Sequence, residues 1–245
     1  MWYNDITVKE RKVILKMGKK KTLMILDVEG GLNAKPYNIG YLVCDCHGNV
    51  FAERSFALMD CIWENLEKSK RLDSENVGRL MTFKNVQEIL TDNVKYKWCL
   101  TDDFLMQFIK DVENFDVTEI WAYNVAFDRG SIEDRLFGFK ISELLGFTWH
   151  DIMKACVHNL YLSPKYVQFC LENGFVTEKG NLKSSAESGY AYLSENKDFM
   201  EEHTGLADCK IEYMLYLMAR AKKKKIFRNN GDWRTLKNYR ESKGL

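Results

Sequence analysis

The stretch LMILDVEGG, residues 23–31, constrains the fold more than any other part of the chain. Residues Leu23 to Leu26 are apolar without a break, the pattern of a strand covered on both faces and so central in a layered sheet. The run ends in Asp27 and Glu29, which period 2 puts on one face. They sit at the C-terminal end of the strand, where open α/β sheets place their sites. Two carboxylates at the end of a buried strand need partners to offset the cost of desolvating them. The same spacing recurs at Asp73/Glu75 and Asp111/Glu113. Those pairs fall in helix or loop patterns, where residues two apart share no face.

After this strand (21–28), NIGYLVCD (38–45) reads as a second strand, CHGN (46–49) as a tight turn and VFAERSFAL (50–58) as a third strand. Residues 60–100 read as a helical insertion. TDDFLMQFIKDVENF (101–115) has a helix cap and an apolar face of period 3.6. TEIWAYN (118–124) is a fourth strand leading directly into a helix over 126–139, and FTWHDIM (147–153) a fifth strand followed by a helix. Helices are expected over 151–162, 164–173, 184–195 and 206–222. A meander followed by alternating strands and helices predicts an α/β domain around one mixed sheet.

Charge is distributed unevenly although the net is +1. Residues 9–21 carry seven basic and one acidic side chain, and 220–245 carry ten and two. The segment between them, 22–219, holds 19 basic and 31 acidic residues. An acidic centre suits cations, and basic ends suit an anionic polymer. The expected organisation is a basic N-terminal segment (1–21), one domain (22–221, with the insertion at 60–100) and a basic tail (222–245). The seven cysteines have no framework spacing and read as reduced thiols. Cys44, Cys46 and His47 lack a second pair at zinc-finger spacing and read as packing residues. No apolar stretch approaches the roughly 18 residues of a membrane span, so no membrane partner and a cytoplasmic location are expected.

Two further stations resemble the first in placement. In WAYNVAFDRG (121–130), Asp128 falls in the first turn of the helix that follows Asn124, with Tyr123 and Phe127 as candidate stacking rings. In HTGLADCKIEYML (203–215), His203 precedes a helix and Asp208 opens a face continued by Ile211 and Leu215. Strand ends and helix starts converge on one edge of a sheet, so Asp27, Glu29, Asp128, Asp208 and His203 can meet. Oxygen ligands of this kind suit hard cations, Mg²⁺ or Mn²⁺. A pair of such ions about 4 Å apart would form a clamp for phosphoryl transfer.

The ordered motifs D-V-E, N-V-A-F-D and H-T-G-L-A-D resemble those of the DEDDh, or DnaQ-like, 3′–5′ exonucleases of the ribonuclease H-like superfamily, over about residues 22–221. The stretch 184–212 is similar to phage-encoded members, for which the compartment would be the host cytoplasm. The resemblance implies a three-layer fold with a central mixed five-stranded sheet flanked by helices. It implies two divalent cations, with Asp27 bridging both, Glu29 and Asp208 completing one site and Asp128 serving the other. His203 would be the general base and a 5′-mononucleotide the product. Gly30, Gly31 and Leu32 would approach the 3′-terminal nucleotide, together with Tyr123, Asn124 and Phe127. The chain departs from the D-x-E-T-x-G of many relatives, since Gly30 and Gly31 follow Glu29 directly. The expected substrate is the 3′ end of single-stranded nucleic acid, DNA ahead of RNA. The basic, aromatic stretch 226–240, with Phe227, Trp233 and Tyr239, would be its platform or a dock for a replication protein. The alternatives are an exoribonuclease, or a subunit that binds nucleic acid or a partner without catalysis.

Overall fold

The computed structural model describes residues 21–30, 35–70, 86–91, 95–178 and 180–221. The basic segment up to residue 20, Gly31 and Leu32, much of the insertion, Asp73 and Glu75, and the tail from residue 222 with its 226–240 stretch lie outside the described residues.

The chain folds as an α/β structure on one mixed sheet. Strands β1 (Thr22–Gly30), β2 (Pro36–Asp45) and β3 (Val50–Leu58) form an antiparallel meander. β5 (Glu119–Ala122) pairs parallel to the other side of β1, and β6 (Thr148–Asp151) parallel to β5. The order is β4-β3-β2-β1-β5-β6, which makes six strands rather than the five expected. The sixth, β4 (Lys97–Cys99), lies in the insertion and pairs parallel with β3. Three residues are too few to display an alternating pattern, and what makes them a strand is the free edge of β3. Within the described insertion, α1 (Met59–Lys70) and residues 86–91 are helical as expected, whereas Lys95 and Tyr96 form a turn before β4.

Helices cover both faces of the sheet. On one, Leu23, Ile25, Leu42 and Trp121 pack against α5 (Ile152–Cys156, continued by π-helical Val157–Tyr161), α6 (Pro164–Asn173), α7 (Ala186–Leu193) and α8 (Gly205–Ala221). On the other, Met24, Leu26, Val28, Tyr41 and Phe56 pack against α2 (Thr101–Asn114), α3 (Ala126–Arg129, continued by π-helical Gly130–Phe137) and α4 (Ile141–Leu145). Asp111 of α2 is buried there but fully engaged, accepting from Tyr41 Oη at 2.9 Å and Arg54 Nε at 2.9 Å. No described helix is long and apolar enough to cross a membrane.

The alternation of β1 decides where the site forms. Leu23 and Ile25 face α8, so Asp27 and Glu29, two and four residues on from Ile25, emerge on the α8 side at the end of that row. The start of α8 is fixed by main-chain contact. A Cβ placed on Gly40 of β2 would sit 2.1 Å from Gly205 C and Leu206 N. Asn38 locks this contact, accepting from Gly205 N–H at 2.8 Å and donating to Phe56 O at 2.7 Å. Cys209 adds its thiol to Gly40 O at 3.2 Å.

Gly40→Ala is therefore expected to cost about 3 kcal/mol or more, because only backbone can give way. Gly130→Ala, whose Cβ would meet nothing closer than Asp134 Oδ2 at 3.6 Å, should be neutral or stabilising by up to about 1 kcal/mol. Urea unfolding of both variants checks the contrast, and equal midpoints would refute the contact's importance.

Candidate metal centre

Three elements deliver acids to the C-terminal edge of β1. β1 supplies Asp27 and Glu29, and the first turn of α8 supplies Asp208. The loop before α8 carries His203, whose backbone is left-handed at φ 55°. Glu29, His203 and Asp208 each present a ligand atom within 4.8 Å of the other two. Asp128 arrives from the first turn of α3, buried, and its Oδ1 accepts from Val28 N–H at 3.1 Å. That bond ties the second motif to the main chain between Asp27 and Glu29.

The acids crowd one another. Burial, then Asp128 and Glu201, push the Asp27 carboxyl well above the usual range. Burial, then Asp27 and Asp208, do the same to Glu29. Asp128 is raised by burial, and Asp208 is raised to about 8 by burial, Asp27 and Glu202. Two like charges about 4 Å apart at an effective dielectric near 20 repel by about 4 kcal/mol. Such a group is relieved either by protons or by cations. Among the described residues, Asp27 Oδ2 and Asp208 Oδ1 are buried and meet no hydrogen-bond donor. Asp111, equally buried, has its oxygens fully served, so the orphaned oxygens belong to the site and not to buried acids in general. The donors are carboxylate oxygens and one imidazole. Cys209, the neighbouring thiol, points at the carbonyls of Ile25 and Gly40. This set fits hard divalent cations such as Mg²⁺ or Mn²⁺ rather than thiophilic metals.

The remaining expected residues are placed variously. Gly30 ends β1 with its Cα against Pro36, where a Cβ would lie 3.3 Å from Pro36 Cα. Tyr123 turns its hydroxyl inward, 2.7 Å from Tyr161 Oη and bonded to Ser184 O. Asn124 is exposed in a left-handed turn at φ 60°. Phe127 is 38% exposed beside Asp128, its ring 5.0 Å from the Arg135 guanidinium. A hollow of about 540 Å³ between β4 and α2, lined by Lys97, Trp98, Met106 and Lys110, contains none of these residues.

Two acids join the group without having been expected. Glu212 lies one turn after Asp208 and is buried, accepting from Tyr123 N–H at 3.3 Å. Burial, then Asp27, Asp128 and Asp208, raise its carboxyl. The spacing of four from Asp208 was a usable signal, since it puts both on one helix face. Glu201, raised to about 7 by burial and Asp208, sits in the loop before His203, where no periodicity marks it. Comparison with known family models and with curated proteins finds no match.

The sign of the pH effect follows from Asp208. Its carboxyl titrates at about 8 when folded against an ordinary 3.8, so the folded chain holds the proton more tightly. The stability this contributes is complete below about pH 4 and is lost as pH rises through about 8. In EDTA, the thermal midpoint is expected to fall between about pH 6 and pH 8.5. Asp208→Asn, which cannot ionise, should melt about 3 °C or more above wild type at the upper pH. A variant no more stable than wild type there would contradict the crowding described.

Proposed function

We propose that this chain is a metal-dependent 3′–5′ exonuclease with the layered sheet of the ribonuclease H-like class, related to the DEDDh group. The observation that carries the reading is the meeting of Glu29, His203 and Asp208 within 4.8 Å, at the strand end that also holds Asp27 and, through Val28 N–H, Asp128. The antiparallel β1–β2–β3 meander continued by parallel β5 and β6 supports the fold assignment.

In this reading Asp27, Glu29, Asp128 and Asp208 hold two Mg²⁺ or Mn²⁺ ions. When bound, these ions stabilise negative charge on the attacking and departing oxygens of a phosphodiester. His203 takes the proton of the attacking water, a task suited to an imidazole. Water adds to phosphorus, the P–O3′ bond breaks, and a 5′-mononucleotide leaves with a new 3′-hydroxyl on the strand. Glu212 holds the β5 exit to α8 through Tyr123 N–H and so positions Asp128 relative to Asp208. Phe127 offers an exposed ring beside Asp128 for a base to stack on. Such a site takes a single-stranded end, and DNA is the substrate we favour.

The test uses 5′-labelled single-stranded DNA and RNA with Mg²⁺, Mn²⁺ or EDTA. Stepwise shortening from the 3′ end, dependent on metal, is expected, and the faster polymer identifies the substrate. Asp27→Asn and Asp208→Asn should lower kcat by about a thousandfold or more with the fold intact. Retained activity in either would break the assignment. His203→Ala should lower kcat about a hundredfold while Mn²⁺ still binds by calorimetry. Lost Mn²⁺ binding would make His203 a ligand instead of the base. Binding of DNA without shortening would favour a non-catalytic module.

A further inference from the structure

Five buried side-chain nitrogen or oxygen atoms among the described residues meet no hydrogen-bond partner, and three of them belong to one place. Two are the carboxylate oxygens of Asp27 and Asp208. The third is the hydroxyl of Thr204, a residue only 7% exposed. The carbonyl of Thr204 accepts from the Asp208 amide at 2.9 Å, which sets Thr204 one helical turn ahead of that acid. The spacing of four puts the two residues on one face of the start of α8. On one side Thr204 adjoins His203, whose amide donates to the Asp208 carboxyl. On the other it adjoins Gly205, where a Cβ would come 3.0 Å from Asp27 O. The threonine is thus enclosed by the same three residues that meet at the end of β1.

A threonine just before a helix has an ordinary use as its cap. Three other helices of this chain show that use. Asp151, Ser163 and Ser185 precede α5, α6 and α7, and each side chain accepts from the amide three residues on, at 3.1, 3.3 and 3.1 Å. Thr204 stands in the equivalent position before Gly205, yet its hydroxyl makes no such bond. A buried hydroxyl without a partner lowers stability, and a valine of the same shape would avoid the cost. The neighbouring orphaned oxygens are acids. Threonine differs from them in being neutral and in both accepting and donating. Such an acceptor orients a water without removing its proton.

We propose that Thr204 is a positioning residue for the attacking water, its hydroxyl oxygen accepting one O–H of that water while the other O–H faces His203. This rests on the exonuclease reading and adds to it the group that aims the nucleophile. The water's lone pair is thereby left toward phosphorus. On attack the O–P bond forms, the proton passes to His203, the P–O3′ bond breaks and O3′ takes a proton from solvent. Thr204 keeps its own hydrogen throughout, so valine removes the aim and leaves the base in place.

The experiment compares the full chain with Thr204→Val and Thr204→Ser. It reads melting in EDTA, Mn²⁺ binding by calorimetry, and shortening of a 5′-labelled single-stranded oligonucleotide with Mg²⁺. Thr204→Val removes an unserved hydroxyl, so its melting temperature in EDTA is expected to rise by about 2 °C. Its Mn²⁺ affinity should stay within about threefold of wild type. Its kcat should fall about thirtyfold while KM changes less than about threefold. Thr204→Ser, which keeps the hydroxyl, should regain most of kcat. A Thr204→Val chain that melts below wild type in EDTA makes the hydroxyl a cap of α8 and overturns the positioning role. So does a Thr204→Ser chain as slow as Thr204→Val, or a loss of Mn²⁺ affinity of about tenfold or more, which would place the hydroxyl in the service of the cations. If the wild type shortens the strand and Thr204→Val keeps its kcat, the role is overturned and the exonuclease reading stands. A wild type that does not shorten the strand with either metal overturns both.

Discussion

Two main chains in contact set the geometry on which everything at this edge depends. Helix α8 meets β2 with no side chain between Gly40 and Gly205, and Asn38 completes the contact from a buried position. Any Cβ at Gly40 would drive the helix away from the sheet, and with it Asp208, one turn later, and His203, two residues earlier. The approach is close because both partners are glycine, and it brings a helix-borne acid to strand-borne ones without a long side chain to span the gap. The cost is carried by the acids themselves, which are placed nearer to one another than carboxylates choose to be.

That crowding separates structural acids from chemical ones. Asp111 is as buried as Asp128 and sits in the same kind of D-x-E pair as Asp27, yet arginine, tyrosine and glutamine serve its oxygens. Asp27 and Asp208 each keep an oxygen that no described donor reaches. A fold selected for stability alone supplies such donors or replaces the acid with an apolar group. Leaving them unserved concentrates negative charge that protons relieve in the free chain and that a cation would relieve in the proposed reading, so that affinity for metal and stability of the free chain would oppose each other.

Much of this was legible in the sequence. The unbroken apolar run of β1, the two-residue spacing of Asp27 and Glu29, and the helix starts at Asp128 and Asp208 are local patterns, and local patterns survive in a single chain. The described helices other than α4, which the sequence pattern did not mark, and the strands β1, β2, β3, β5 and β6 lie where periodicity put them. What escaped was tertiary. β4 exists because β3 had an open edge. The Lys95–Glu202 pair joins residues 107 apart with nothing in either neighbourhood to announce the other. The hydroxyl of Tyr123 meets Tyr161 and Ser184, partners that nothing near the motif announces. Glu212 was readable from its helical spacing to Asp208, although that spacing alone carries no sign of the amide of Tyr123 that it meets.

The sheet ends on both sides in very short strands, three residues in β4 and four in β6. An edge of that length offers few unpaired amides and carbonyls to another molecule, and β4 places an exposed lysine, Lys97, on it. Long flat edges are where sheets join one another and aggregate, and charged, stunted ones discourage it. The small strand contributed by the insertion thus also covers the last three residues of the outer backbone of β3, Phe56 to Leu58, which would otherwise extend the open edge to the end of the strand that leads into the insertion.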